Sequence, residues 1–467
     1  DQQTLKWMTK TLAFNDTAPS RGRAGRDARA RYPGRARFWS TEVQAEDFTY
    51  WDQQLPVVAW QAQLGWSPKF GGMAIPLLHR CAPLIRLAGL ASAVAVLRPR
   101  YARYSADRLR HQPIDDAETA LEWAKRAGVL DQTTTFEDLV GIPNLQMHLV
   151  QEWQRKELGR MLHKLCTSYL AINGNTLADR TRRADLLEEI TRLTALRSKG
   201  ARAAADVIPI GDHLRLTDTE FQLFLRHRLG LPLVDPSWPP RCPRCAPDHP
   251  QLNDPNAAHM RRACYGGYAR TTPHECVKFA LRDILIRAFS SKDVHTEKTV
   301  RHWQPGHAAY RADIQLIREA SSAAIDVTIV DCQAPSHNNS GNRLQHALRQ
   351  GHAAGLAFRD KNNKMTAELA NSGMQIVPFV VESFGRLHSK SSSFLTKLNN
   401  HKLEEIVQPD PNFPLLSPSK LFFRDNYDPI GYAMRHIAVA LARGLTRSLN
   451  NVLVAATREN RQHAIVA

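Results

Sequence analysis

Residues 310–330 read YRADIQLIREASSAAIDVTIV, and residues 374–386 read MQIVPFVVESFGR. In the first stretch Ile314 and Leu316 alternate with Asp313 and Gln315, and further on Ile325, Val327 and Ile329 alternate with Asp326 and Thr328. Alternation at period two marks a strand with one apolar and one polar face. Two strands joined by a short turn are predicted, and the apolar run at 374–386 supplies a third. A lysine-bearing segment, FRDKNNKM at 358–365, lies between them. The fold class expected is multidomain α+β, with an α/β core built on a central mixed sheet in the C-terminal half.

Twelve residues separate Asp313 from Asp326. Adjacent strands would bring both carboxylates to one sheet surface, although two solvated acids at strand edges would show the same spacing. Carboxylate oxygens are hard ligands suited to Mg²⁺. Mg²⁺ held there would polarise a scissile phosphate and lower the pKa of an attacking water. Phosphodiester hydrolysis needs that help because the nucleophile and the phosphate oxygens are both negative.

Outward from this stretch, the chain is strongly basic. It has 467 residues and a formal charge of +17, from 62 Lys+Arg against 45 Asp+Glu. Such a field favours polyanionic partners, nucleic acid before an anionic membrane. The run closest to a membrane span, residues 73–97, is interrupted by Arg80 and Arg86. The opening DQQTLKWMTK shows neither an initiator Met nor a signal peptide and reads as a fragment or a chain starting mid-domain. Residues 20–37 carry Arg21, Arg23, Arg26, Arg29, Arg31, Arg35 and Arg37 spaced by Gly, Ala and Pro. That segment is read as a phosphate-gripping arm, or else as a solvated basic loop.

The seven cysteines are odd in number, and a subset clusters with histidine. A reducing compartment and a metal site are expected rather than a disulfide framework. Cys242 and Cys245 form a Cys-x2-Cys turn, followed by His259 and Cys264. These donors suit tetrahedral, structural Zn²⁺. His249 competes as third ligand, and Cys276 is a substitute for Cys264. Arg241, Arg244, Arg261 and Arg262 surround the knuckle and suit phosphate contact.

Three-to-four spacing predicts helices over 145–171 and 179–198, a helix starting at Asp115-Asp116-Ala-Glu118, and a helix after the Gly71-Gly72 turn. Residues 273–289 are predicted as an amphipathic helix with Val277, Leu281, Leu285 and Phe289 on one side and His274 at its start, read as a nucleic-acid contact that orients a phosphate or else as a simple cap. Two more helices are predicted over 391–408 and 427–459, separated by a Pro-rich break at 409–419.

Taken together these motifs resemble the C-terminal part of site-specific non-LTR (LINE-type) retrotransposon proteins bearing a CCHC zinc knuckle and a restriction-like PD-(D/E)xK endonuclease. Ala312-Asp313 stands for the family's "PD" and Asp326-Val327-Thr328 for its "(D/E)xK". Thr328 therefore occupies the lysine position. The resemblance implies that the lysine has moved to the following helix, with Lys361 preferred and Lys364 second. It also implies that Glu297 is an auxiliary acid on the preceding helix, and it matches the family's "RHN" only partly at Pro273-His274-Glu275. Upstream, Gly71-Gly72-Met73-Ala74 and Leu90-Ala91-Ser92 are similar to the turn and helix that follow the reverse transcriptase palm in such proteins. The polymerase's own aromatic-x-Asp-Asp hairpin is absent, because Asp115-Asp116 leads into a helix.

The resemblance implies an endodeoxyribonuclease acting in the nucleus, with target double-stranded DNA and element RNA as partners, Mg²⁺ as catalytic and Zn²⁺ as structural metal. It implies transposition as the process. The boundaries expected are 1–100 for the arm and palm-proximal remnant, 101–234 for a helical thumb-like linker, 235–278 for the knuckle, 279–408 for the nuclease and 409–467 for a C-terminal helix. Two alternatives stand beside it: a catalytically inactive or domesticated nucleic-acid-binding protein, and an RNA-binding or scaffold role built on residues 20–37 and 145–199.

Overall fold

The computed structural model describes residues 78–100, 113–207, 212–231, 268–297, 299–300, 310–317, 322–334, 342–369, 372–399 and 429–466, with positions 63, 69 and 233. The chain divides into two compact units, 1–171 and 172–467. The described residues are mostly helical, with one four-stranded mixed sheet and a two-stranded ribbon. None of their helices is long and apolar enough to cross a membrane.

The first unit holds α1 (Leu78–Arg100), α2 (Pro113–Arg126), the short α3 (Phe136–Leu139) and α4 (Leu145–Leu170). Leu84, Leu87, Leu121, Leu130, Leu149 and Trp153 close its core. Thr135 and Asp138 form a capping box at the start of α3, satisfying donors that a helix N-terminus leaves open.

The second unit begins with α5 (Leu177–Leu196), α6 (Lys199–Ala203) and α7 (Asp218–Leu229). It continues with α8 (Tyr268–Ala288), β1 (Val294–Thr296), β2 (Thr299–Val300), β3 (Tyr310–Arg311), β4 (Ile314–Ile317) and β5 (Ser322–Val330). Then come α9 (Arg343–Leu348), α10 (His352–Leu369), β6 (Gln375–Glu382), α11 (Ser389–Asn399) and α12 (Pro429–Val466). The sheet order is β1-β4-β5-β6. β4 is antiparallel to β1 and to β5, whereas β6 runs parallel to β5, with Asp326 opposite Pro378. The parallel pair is joined through α10, as a parallel connection requires. β6 is an edge strand, which tolerates Pro378. Its outer edge is occupied: Val380 N–H donates to Ser391 Oγ at 2.9 Å, and Ser391 Oγ donates to the Pro378 carbonyl at 3.3 Å.

Both faces of β5 are covered. On one, Ile325 and Val327 pack with Val277, Leu281 and Leu285 of α8, with Phe379 of β6 and with Ala433, Ile437 and Leu441 of α12. The other face lies under α10. There Ala324 packs with Met365 and Leu369, while Val330 and Val380 pack with Ala353 and Ala354. Two close approaches need glycine. A Cβ on Gly444 of α12 would lie 2.5 Å from Pro273 Cα in α8, and one on Gly200 of α6 would lie 2.0 Å from the Gly385 carbonyl oxygen. Gly385 also has φ +93°.

Several sequence expectations are corrected. The 310–316 run is not one strand: β3 pairs with β2, and a break at Ala312-Asp313 precedes β4. Gln315, on the expected polar face, is buried. The helix expected from 273 begins at Tyr268, with Pro273 inside it. Proline's preference for the first helical position suggested the later start. Of the helix expected over 391–408, the part to Asn399 is present, starting at Ser389, and residues 400–408 lie outside the described residues. The expected helices at 145–171 and 179–198 are present within a few residues.

Ile437 is 1% exposed at the centre of the core shared by α8, the sheet and α12. Ile437→Ala is expected to cost about 2–5 kcal/mol, read as a lower denaturant midpoint with unchanged slope in equilibrium unfolding.

Candidate carboxylate–lysine site

The site grows out of the face of β5 that α10 covers. Ala324, Asp326 and Val330 point to that face. α10 answers with Ala354, Phe358, Lys361, Met365 and Leu369, spaced by three and four residues along one stripe. The Ala354 end packs on Val330 and Val380, and the Met365 end packs on Ala324 and Tyr310. Asp326 falls in the gap between these apolar patches and is 6% exposed. A carboxylate so buried must be paired or hydrogen-bonded. Lys361, the one polar member of the stripe, places Nζ 2.8 Å from Asp326 Oδ2. The Tyr310 hydroxyl donates to the same oxygen.

Asp313 stands at the break before β4, and its side chain keeps 18% of its exposure. The Val327 N–H donates to Asp313 Oδ2 at 2.7 Å, and His274 Nε2 lies 3.0 Å from that oxygen. His274 Nδ1 in turn lies 3.2 Å from Glu275 Oε1. Each aspartate influences the ionisation of the other. Burial and Asp313 raise the Asp326 pKa, against the opposing effects of Lys361 and Tyr310. Burial also pushes Asp313 upward, but hydrogen bonds from His274 and the Val327 N–H, together with the neighbouring Asp326, hold it below the usual carboxylate range. Asp326 is therefore the more readily protonated of the two.

Behind the pair, Lys278 is almost wholly buried and donates to Glu275 at 2.6 Å and to Glu297. Arg311 donates to the other oxygen of Glu297. Glu297 has φ +52°, and its N–H donates to the Asp313 carbonyl at 2.9 Å. The charges run Arg311, Glu297, Lys278, Glu275, His274, Asp313, Asp326, Lys361, alternating in sign except where the two aspartates adjoin.

Of the residues singled out from sequence, Asp313, Asp326, Lys361 and His274 come together. Lys364 is exposed and off the stripe. Glu297 lies in the turn after β1, not on the preceding helix, and its carboxylate serves Lys278 and Arg311. Cys242, Cys245, His249, His259 and Cys264 lie outside the described residues, as do the arginines at 21–37 and Arg241, Arg244, Arg261 and Arg262. Tyr310, Lys278 and Glu275 were not anticipated. Lys278 could have been found from its helical spacing to His274 and Glu275, whereas Tyr310 reaches Asp326 only through the ribbon.

Among the described residues no group of three or more His, Cys, Asp and Glu side chains is gathered as a metal-binding set. The aspartate pair alone still fits Mg²⁺, which takes one or two carboxylates and completes its shell with water and phosphate oxygens. No protein-family model matches the sequence, and no curated protein matches it significantly.

Burial would lower the pKa of His274, but Asp313 and then Glu275 more than offset it, so His274 titrates above an ordinary histidine. A raised pKa adds stability that is complete below the unfolded value, about 6.5, and is lost as pH rises through the folded value. His274→Gln is therefore expected to destabilise the chain more at pH 6 than at pH 9. Paired urea unfolding curves at the two pH values check this, and an equal cost at both would count against the ion pair.

Proposed function

We propose that this chain carries the metal-dependent DNA endonuclease of a site-specific non-LTR retrotransposon protein. In that reading it nicks target double-stranded DNA in the nucleus, and the freed 3′-hydroxyl primes copying of the element RNA. The observation that supports it most is the Lys361–Asp326 pair on the face that also receives Asp313. Thr328 leaves the strand without its lysine, and α10 returns one to the same carboxylate. The two aspartates would hold Mg²⁺, which supplies polarisation of the phosphate and a more acidic water. Lys361 orients that water or offsets charge on the phosphate. His274 and the Val327 N–H fix Asp313, and the alternating charges behind them fix His274. The zinc knuckle at Cys242, Cys245, His259 and Cys264, with its arginines and the arm at 20–37, would grip nucleic acid.

A second reading, a nucleic-acid-binding protein without cutting activity, draws on the two internal donors that already satisfy Asp326. Plasmid nicking in Mg²⁺ separates the two. Asp326→Ala should abolish nicking, and Lys361→Ala should slow it by about 10²–10³-fold, the usual cost of one preorganised charge donor. Nicking at equal rates by wild type and Asp326→Ala would refute the nuclease site. The zinc part is tested apart: the full chain should retain stoichiometric zinc through gel filtration, and a Cys242→Ser/Cys245→Ser variant should lose it. Zinc-free wild type would remove the knuckle from the proposal.

A further inference from the structure

Tyr310 belongs to β3, in a different sheet from Asp326. Its ring is buried among Ala312, Ala324, Met365 and Leu369. Within this apolar nest the hydroxyl meets Asp326 Oδ2, the same oxygen that Lys361 approaches. A phenylalanine would fill the nest equally well. The hydroxyl adds only a donor to one carboxylate oxygen, and a buried tyrosine hydroxyl usually takes a partner. The two donors to that oxygen are unlike. Lys361 arrives on a flexible stem and is 24% exposed, whereas Tyr310 is fixed by packing through two torsions.

We propose that Tyr310 is a positioning residue for a divalent-cation site, holding Asp326 on the face it shares with Asp313 whether or not Lys361 is engaged elsewhere. The inference rests on the nuclease reading and deepens it, because there Lys361 is needed at the phosphate. When Lys361 turns toward a phosphate, Asp326 loses one of its two donors. A carboxylate with no second restraint could then rotate away from Asp313. The tyrosine keeps the pair in register, which is the function of outer partners that orient metal-binding carboxylates. Losing such a partner typically weakens metal affinity or activity by about 10–100-fold.

The test is calorimetric titration of the full chain with Mn²⁺ and with Mg²⁺, without DNA, comparing wild type, Tyr310→Phe and Asp326→Ala. Tyr310→Phe, titrated well below its own melting transition, should bind about 10–100-fold more weakly. Unchanged affinity in Tyr310→Phe alongside lost binding in Asp326→Ala overturns the role of Tyr310 and leaves the cation site standing. Unchanged binding in Asp326→Ala instead sinks the cation site itself. Should Tyr310→Phe fail to fold, 3-fluorotyrosine at position 310 serves in its place. Its ¹⁹F resonance should move on titration with Mg²⁺ in wild type and stay put in Asp326→Ala, and a resonance that stays put in both overturns the proposal.

Discussion

β5 is hydrogen-bonded on both sides and covered on both faces, and the second unit is arranged around that fact. A strand so enclosed cannot leave a charged side chain to water. Asp326 sits in its middle, so the surrounding elements must supply donors or the strand would be destabilised by an unsatisfied buried group. A lysine in the apolar stripe of α10 and a tyrosine from the ribbon meet that demand. The choice of those residues follows from the burial of the strand as much as from any chemistry performed there.

The chain of alternating charges has a similar logic. Each ion between Arg311 and His274 has opposite neighbours, so partly buried charges offset one another's desolvation. The alternation breaks only at Asp313 and Asp326, where two carboxylates adjoin and burial raises the pKa of Asp326. Protons and divalent cations compete for such a pair, so metal binding there would release a proton and weaken on acidification.

Much of this was legible beforehand, for identifiable reasons. Alternation of Ile325, Val327 and Ile329 with Asp326 and Thr328 marked β5, and the apolar run at 376–381 marked β6. Asp313 and Asp326 could be singled out because few residue types bind hard cations, whereas Lys361 was reached only through the family resemblance. Pairing order was not legible: nothing local to β6 says that it runs parallel to β5. Tyr310 escaped because its role depends on a ribbon formed with residues ten positions upstream. The start of α8 was misplaced because Pro273 normally opens helices. Here Gly444 lets α12 cross close above it, and tertiary packing overrides the local preference.

The meeting of Gly200 and Gly385 has an evolutionary reading. Surface positions can drift freely. Neither glycine has that freedom, because any side chain at 200 would force two backbones apart. The constraint at these two positions therefore comes from the fold itself, whatever chemistry the chain performs.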